Sequence, residues 1–322
     1  MNTLLAEAIA KARSRSSWND RLEHWARPAS DHEEDKIQRA ARMARAVVLG
    51  NKWLAAEGVT IQPQGSYFNN TNVRLDSDMD LRAQHSAIKV EYGAGIAAEH
   101  ADSALGYYGT GRTFPEVALD MRRQLGNDLT QRFGAGNVEI GNKAIAVAGL
   151  SGSRADVDVV PAFRLHWVQR TQSLLSIGDF FTTEGVAILG TDGSWTYNFP
   201  EQHHANGKAK RESTGRRFKK VVRMLKRLNY DLVDVGFMPK KLPSFLIESL
   251  VYNIEDYLFL YKEDHYARLK RIVTRISEQV DNPFSVAIAK EVNGIKPLFS
   301  GQPWTTADVK VFVAAALLRL EI

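Results

Sequence analysis

The chain of 322 residues contains no cysteine. Disulfides, cysteine nucleophiles, iron-sulfur clusters and thiolate zinc sites are therefore excluded together, and a reducing compartment is favoured. The sequence also lacks an apolar run near the roughly 18 residues that a membrane-spanning helix needs, and it lacks a basic and then apolar leader at its N-terminus. From these absences we expect a cytoplasmic protein with no membrane partner.

Charge of one sign is only slightly in excess. The 42 lysines and arginines outnumber the 37 aspartates and glutamates, which gives a net charge of +5 and a pI near 9.2. This modest excess favours a polyanionic partner such as a nucleotide without proving one. A hydrophobic content of 44% is ordinary for a compact globular protein, so disordered and fibrous classes are excluded.

Hydrophobic periodicity predicts helices and strands in the first two thirds of the chain. From Asp31 to about Ala56 apolar residues recur with a helical period and acids crowd the first turn, which predicts a long helix capped by Ser30 or Asp31. Short β-branched runs then alternate with polar loops over residues 59–162, around a helical segment, residues 114–133, that Pro115 opens. This mixture indicates an α/β (α+β) lobe with a mixed sheet.

The last third of the chain reads differently, because only amphipathic helices follow from about residue 213. We therefore predict two domains, a mixed lobe over residues 1–212 and a helical lobe over residues 213–322. Since no flexible linker separates them, a cleft between the lobes is the expected site.

Aspartates recur at every second position in two predicted strands. Asp76, Asp78 and Asp80 occupy one face of DSDMD, and Asp156 and Asp158 occupy one face of ADVDVV. Two such strands side by side would crowd like charges, which destabilises the fold unless a cation neutralises them. Carboxylates are the ligands that Mg²⁺ prefers, and two such ions can clamp a phosphoryl group. The alternative is a pair of solvated turns.

Two further details narrow the type of site. A calcium loop would need glycine at its sixth position, where this chain has Leu81. Upstream, Gly65 would let backbone N–H groups approach a phosphate, and the Ser66 hydroxyl could donate to a triphosphate oxygen. We therefore predict a phosphate cradle close to the metal-binding acids.

These motifs together resemble a known superfamily. A Gly-Ser pair, a polar spacer, a D-x-D pair flanked by apolar residues and a distant third acid are typical of the polymerase-β-like nucleotidyltransferases. The segment DVVPAF, residues 158–163, is similar to the third-acid strand of the oligoadenylate synthase and cyclic GMP-AMP synthase branch. The resemblance implies a two-lobed polymerase-β-like fold.

Other segments resemble one bacterial group within that superfamily. RRFKKVVRMLKRL (216–228), LPSFLIESLVYNI (242–254) and the helix start ASDHEEDKIQRAARM (29–43) are similar to segments of the cGAS/DncV-like nucleotidyltransferases. That family makes cyclic dinucleotide signals in anti-phage defence, and the uridine-using CdnE-type clade is the nearest match.

The resemblance implies roles for individual residues. Asp78 and Asp80 match the paired ligands for Mg²⁺ or Mn²⁺, and Asp158 matches the third ligand, placed to help deprotonate the attacking hydroxyl. Asp76 and Asp156 fall outside the family pattern, and for them we favour a supporting structural role.

A basic stripe and an amide are candidates for nucleotide binding. Lys219, Arg223 and Lys226 follow one face of a predicted helix, and the family carries basic residues there for the donor phosphates; the alternative is a solvated face. Asn198 resembles the base-reading position of the related enzymes, where an asparagine goes with pyrimidine choice, and its amide matches the uracil edge. The alternative is an asparagine that bonds backbone in the turn before Pro200.

Aromatic and histidine side chains nearby are weaker candidates. Trp195, Tyr197 and Tyr257 could stack on a base, but core packing is the more common use of such residues. His203 and His204 are adjacent, and adjacent histidines rarely converge on one metal ion.

The expected activity follows from this resemblance. It implies an enzyme that joins two nucleoside triphosphates, UTP and/or ATP, into a cyclic dinucleotide that a downstream effector protein recognises. DNA sensing through a zinc module is excluded, because that module needs cysteines. The alternatives are an enzyme that adds nucleotides to RNA and a catalytically silent nucleotide-binding module.

Overall fold

The computed structural model describes residues 3–73, 78–107, 111–170 and 180–321, with side chains from residue 14 onward. The chain forms two compact units, one of residues 31–67 and 77–200 and one of residues 1–30, 68–76 and 201–322. This division differs from the predicted boundary after residue 212, since the helical unit also includes two segments from the N-terminal part of the chain.

The first unit is built on a mixed sheet. In the described residues its strands run in the order β1-β2-β5-β4-β3, and β6 pairs with β5 and β7. The pair β2–β5 is parallel, and the other pairs are antiparallel. The strands are β1 Thr60–Gln64, β2 Met79–Tyr92, β3 Val138–Ile140, β4 Ile145–Val147, β5 Val157–Arg170, β6 Phe180–Leu189 and β7 Trp195–Asn198.

The helices of this unit follow their sequence signals closely. Thr113 and Glu116 form a capping box at the start of the helix predicted over residues 114–133, which is confirmed. The long helix predicted from Asp31 is interrupted after Gly50, because the Asn51 side chain accepts a hydrogen bond from Leu54 N and starts a new helix. The helices are α2 Asp31–Gly50, α3 Lys52–Ala56, α4 Gly65–Phe68, α5 Ala98–Leu105 and α6 Phe114–Phe133.

The second unit is helical and has its own apolar core. Its central helix, α8, buries its apolar face completely, with Phe218, Val221, Val222, Leu225 and Leu228 all inaccessible to solvent. The long N-terminal helix α1 packs on α8, although the sequence reasoning had not assigned it. The helices are α1 Thr3–Ala26, α7 Pro200–Ser213, α8 Phe218–Asp234, α9 Ser244–Tyr252, α10 His265–Asp281, α11 Pro283–Ile288 and α12 Thr306–Glu321. Within the described ranges, no helix has the length and apolarity to cross a bilayer.

Candidate active site

The parallel pair of strands brings the predicted carboxylates together. Asp80 of β2 lies directly opposite Asp158 of β5 in the strand register, and Asp78 immediately precedes β2. Carboxylate oxygens of the three residues all lie within 4.8 Å of one another. The intervening residues of both strands are apolar and buried, which directs the acids to the opposite side. These apolar residues are Met79, Leu81, Val157 and Val159.

The electrostatics of this cluster favour a bound cation. Burial, followed by the negative charges of Asp78 and Asp158, raises the pKa of Asp80 to about 7. Burial, with the charges of Asp78 and Asp156, also raises the pKa of Asp158 above its ordinary value. A hard divalent cation would relieve this repulsion and would find oxygen ligands only. The three residues therefore fit Mg²⁺ or Mn²⁺.

Position 65 requires glycine, because the backbone there lies against one of these acids. Its φ of +71° is unfavourable for other residues, and a Cβ atom built there would lie 1.7 Å from Oδ2 of Asp80. The glycine thus lets the chain pass directly against the Asp80 carboxylate, a reason that sequence reasoning had missed. Ser66 follows in α4 and is half-buried. Contact of either residue with a phosphate stays a prediction.

Of the two remaining aspartates, Asp156 lies in the described part of the chain. Oδ1 of Asp156 accepts a hydrogen bond from the backbone N–H of Gly149 at 2.8 Å, so this acid holds the loop before β5. This contact fits the structural role that we favoured for Asp156. Asp76 lies outside the described residues.

Asn198 is the last residue of β7, where it pairs with Val186 and is half-buried. Its role in reading a base stays a prediction.

Trp195 is surrounded by other rings, at centroid distances of 5.6 Å from Phe114 and 6.2 Å from Tyr197. The Tyr197 hydroxyl donates to Glu91 at 2.6 Å. Trp195 and Tyr197 therefore both make packing contacts within the protein, which is the more common use of such residues.

The exposed aromatic and the adjacent histidines lie in the helical unit. Tyr257 is 59% exposed, so a stacking role for it stays a prediction. His203 is buried and hydrogen-bonds Glu248 at 3.0 Å, and the His204 ring stacks on Phe68. The two histidines thus have separate partners, and neither belongs to the carboxylate cluster.

The basic stripe of α8 is buried. Lys219, Arg223 and Lys226 are only 8%, 6% and 3% exposed, so the alternative of a solvated face is wrong. Lys219 donates to Asn69 O at 2.6 Å, and Lys226 donates to Thr71 O at 3.1 Å. A turn that is far from α8 in the sequence covers the stripe, and its carbonyl groups accept hydrogen bonds from the lysines.

Arg223 extends the same arrangement. It donates to the carbonyls of Ala26 and Asn70, both at 2.8 Å. These three cations therefore anchor residues 69–71 within the helical unit. Binding of a triphosphate by the stripe stays a prediction, because no described contact tests it.

One buried acid balances this cationic cluster. Burial alone would raise the pKa of Glu248, but Lys226, His203 and a hydrogen bond from Thr71 outweigh it and lower the pKa to about 2. The Thr71 hydroxyl donates to Glu248 at 2.7 Å, and Lys226 lies 3.5 Å away. Sequence reasoning missed Glu248, although an acid inside the apolar run SFLIESLVY is a recognisable sign of a buried partner.

Comparisons with known proteins identify the family. Residues 205–321 match the family described as the cGAS/DncV-like nucleotidyltransferase C-terminal helical domain. The chain is 33% identical over 306 residues to the cyclic dipyrimidine nucleotide synthase CdnE of Legionella pneumophila, covering 93% of this chain and 96% of the relative. It is 35% identical over 302 residues to a cyclic dipurine nucleotide synthase of Elizabethkingia meningoseptica, covering 91% and 94%.

Solved structures show the same fold. The CdnE cyclic dinucleotide synthase of Elizabethkingia meningoseptica, with GTP and Apcpp, has a TM-score of 0.72 at 33% identity and covers 94% of this chain and 98% of that one. The CdnE c-UMP-AMP synthase of Rhodothermus marinus, with Apcpp and Upnpp, has a TM-score of 0.75 at 23% identity, covering 92% and 94%. The second likeness supports the fold alone.

Fold, carboxylates and relatives together define a nucleotidyltransferase, an enzyme that transfers a nucleotide from a triphosphate. The chain belongs to the cGAS/DncV-like nucleotidyltransferase family.

Replacing Gly65 should disturb the carboxylate cluster specifically. Gly65→Ala forces Asp80 to move, so we expect Mn²⁺ affinity, measured by calorimetry, to fall about tenfold or more. Gly95→Ala is the matched control, because Gly95 has a φ of +72° but no atom near its added Cβ. It should share the backbone strain and keep its metal affinity. Equal affinities in the two variants would contradict the role given to Gly65.

Removing Glu248 should destabilise the helical unit. Glu248→Ala leaves Lys226 and His203 buried without their acid, so we expect the free energy of unfolding in urea to fall by about 3–5 kcal/mol. Glu212→Ala breaks only exposed ion pairs, to Arg211 and Arg216, and should change little. Because folding lowers the pKa of Glu248, its stabilisation is present above its ordinary pKa of 4.5 and is lost as the pH falls towards 2. A loss as small as that of the control would contradict the role of Glu248.

Proposed function

We propose that this enzyme joins two nucleoside triphosphates into a cyclic dinucleotide. The observation that carries the proposal is the cluster of Asp78, Asp80 and Asp158, whose oxygens lie within 4.8 Å of one another on paired strands. Relatives named as cyclic dinucleotide synthases match nearly the whole length of the chain, which supports the same product class.

The reaction is an in-line displacement at phosphorus. A ribose hydroxyl oxygen of one nucleotide forms a bond to the α-phosphorus of another, and the bond to the bridging oxygen of the β-phosphate breaks, so pyrophosphate leaves with the electron pair. A second displacement on the linear intermediate closes the ring. Most of the acceleration in such transfers comes from positioning and charge stabilisation.

The three carboxylates divide the work at the site. Asp78, Asp80 and Asp158 would hold Mg²⁺ or Mn²⁺, which when bound neutralises charge that develops on the phosphoryl oxygens. The carboxylate of Asp158 would take the proton from the attacking hydroxyl as the general base. The turn at Gly65 and Ser66 supplies backbone N–H groups and a hydroxyl to the triphosphate.

We further propose that the product contains uridine. The cyclic dipyrimidine synthase and the cyclic dipurine synthase have nearly the same identity to this chain, so overall similarity does not favour either class of base. Asn198 supports uridine, because its amide offers both the donor and the acceptor that the uracil edge needs. UTP, with or without ATP, would then be the substrate.

The wider setting is part of the same proposal. The family resemblance supports a role in anti-phage signalling, in which the product acts on an effector protein that recognises cyclic dinucleotides. Because the substrates are cellular NTPs, synthesis would take place in the cytoplasm.

The activity can be tested with purified protein. Incubation with the four α-labelled NTPs and Mg²⁺ or Mn²⁺, followed by phosphatase, should leave a resistant dinucleotide that requires particular NTPs. Asp78→Asn combined with Asp80→Asn should reduce this product at least about a thousandfold while the circular dichroism spectrum is unchanged. Asp281→Asn, at an exposed position, is the control that should keep full activity.

The other outcomes separate the alternatives. Retained turnover in the double variant would overturn the metal assignment. Products that form only when RNA is added would indicate a tailing enzyme, and NTP binding without any product would indicate a silent module or a missing activator.

Base choice can be tested at one residue. Asn198→Ser removes the amide that matches uracil, so we expect the fraction of uridine in the product, measured by mass spectrometry, to fall about tenfold. Total turnover should change less than this fraction. An unchanged product spectrum would remove Asn198 from base reading.

A further inference from the structure

The first turns of α2 carry a small hydrogen-bonded cluster that the proposed reaction does not use. The Tyr67 hydroxyl donates to Glu34, and Gln38 donates both to the Tyr67 hydroxyl and, at 3.0 Å, to Glu34. Glu34 and Gln38 lie four residues apart on the helix, so both reach the same point. We call these three residues the Tyr67 clasp.

The clasp holds the chain next to the catalytic cluster. Tyr67 stands two residues after Gly65, whose backbone passes directly against the Asp80 carboxylate. The turn at Gly65 and Ser66 is short, so fixing the Tyr67 hydroxyl restricts where that turn can lie. Burial, followed by the hydrogen bond to Glu34, raises the pKa of Tyr67 to about 12, so the hydroxyl keeps its donor proton at neutral pH.

The same helix also supports the loop before Asp158. The carbonyl of Lys36 accepts a hydrogen bond from Ala155 N at 3.4 Å, and Arg39 donates to Ser153 O at 3.2 Å. That loop is closed in turn by the bond from Gly149 N to Asp156. The start of α2 therefore contacts both chain segments that lead to the catalytic carboxylates.

Stability alone does not account for the clasp. Gln38 is exposed, and Glu34 and Tyr67 are only half-buried, so such contacts contribute little to the free energy of unfolding. A displacement of about 1 Å at a phosphoryl-transfer site, by contrast, can reduce the rate about a hundredfold. The geometry thus favours a function in placing the turn.

We propose that Glu34 and Gln38 are positioning residues that act through the Tyr67 hydroxyl to hold the Gly65–Ser66 turn against Asp80, where it meets the substrate triphosphate. This inference rests on the proposed function.

The experiment compares matched variants of α2 and α4. Glu34→Ala and Tyr67→Phe should each lower the affinity for a non-hydrolysable NTP analogue about tenfold, measured by calorimetry with Mn²⁺, and should raise KM by a similar factor. Glu34→Gln keeps an acceptor for the hydroxyl and should restore both values to within about twofold. Asp35→Ala is the control, because Asp35 is exposed on the same helical turn and its loss changes the charge equally.

The outcomes are distinct. Normal analogue affinity in Glu34→Ala and Tyr67→Phe would overturn the proposal, as would an equal loss in Asp35→Ala, which would indicate a charge effect. A melting temperature lowered in step with the affinity, without rescue by Glu34→Gln, would indicate a merely structural role. If the wild type binds the analogue but forms no dinucleotide, the proposed reaction fails while the positioning result still stands.

Discussion

The mixed-sheet unit must hold three mutually repelling carboxylates close together, and this is the main constraint on its structure. Parallel pairing of β2 and β5 places Asp80 opposite Asp158, and partial burial strengthens their interaction because solvent screens it less. An arrangement of this kind persists only if the surrounding structure holds it in place. Here the apolar alternate residues of both strands bury the opposite face, and the backbone at Gly65 closes against Asp80. The three acids that result fit a divalent cation.

The helical unit solves the opposite electrostatic problem. Three cations of α8 are buried, and they are tolerated because each ammonium or guanidinium group meets backbone carbonyls, with Glu248 as the neutralising acid. Helical periodicity places Lys219, Arg223 and Lys226 beside the apolar face, but it does not reveal that residues 69–71 cover them. A charged stripe next to an apolar stripe can therefore be either solvated or buried. Which of the two occurs depends on residues that are distant in the sequence.

Membership of the family explains why the fold could be predicted from the sequence. It also explains why the bases of the product could not. Relatives that make dipyrimidine and dipurine products have nearly equal identity to this chain, so a common scaffold supports different substrates. The three clustered acids lie on or next to the strands that build the scaffold, whereas in our proposal base choice depends on a side chain at its edge. Asn198, at the end of a short strand, is the residue of this kind that the sequence indicates.

Local patterns in the sequence determined the alternation of strands and helices, the helix over residues 114–133 and the shared strand face of Asp78 and Asp80. These features follow from side-chain periods of two and 3.6 residues, which are readable within a short window. Only the tertiary structure decided that Gly65 contacts Asp80, that the α8 cations are buried and that Tyr67 reaches α2. Such contacts join residues from separate elements, and they depend on strand order, register and packing, which no local period encodes.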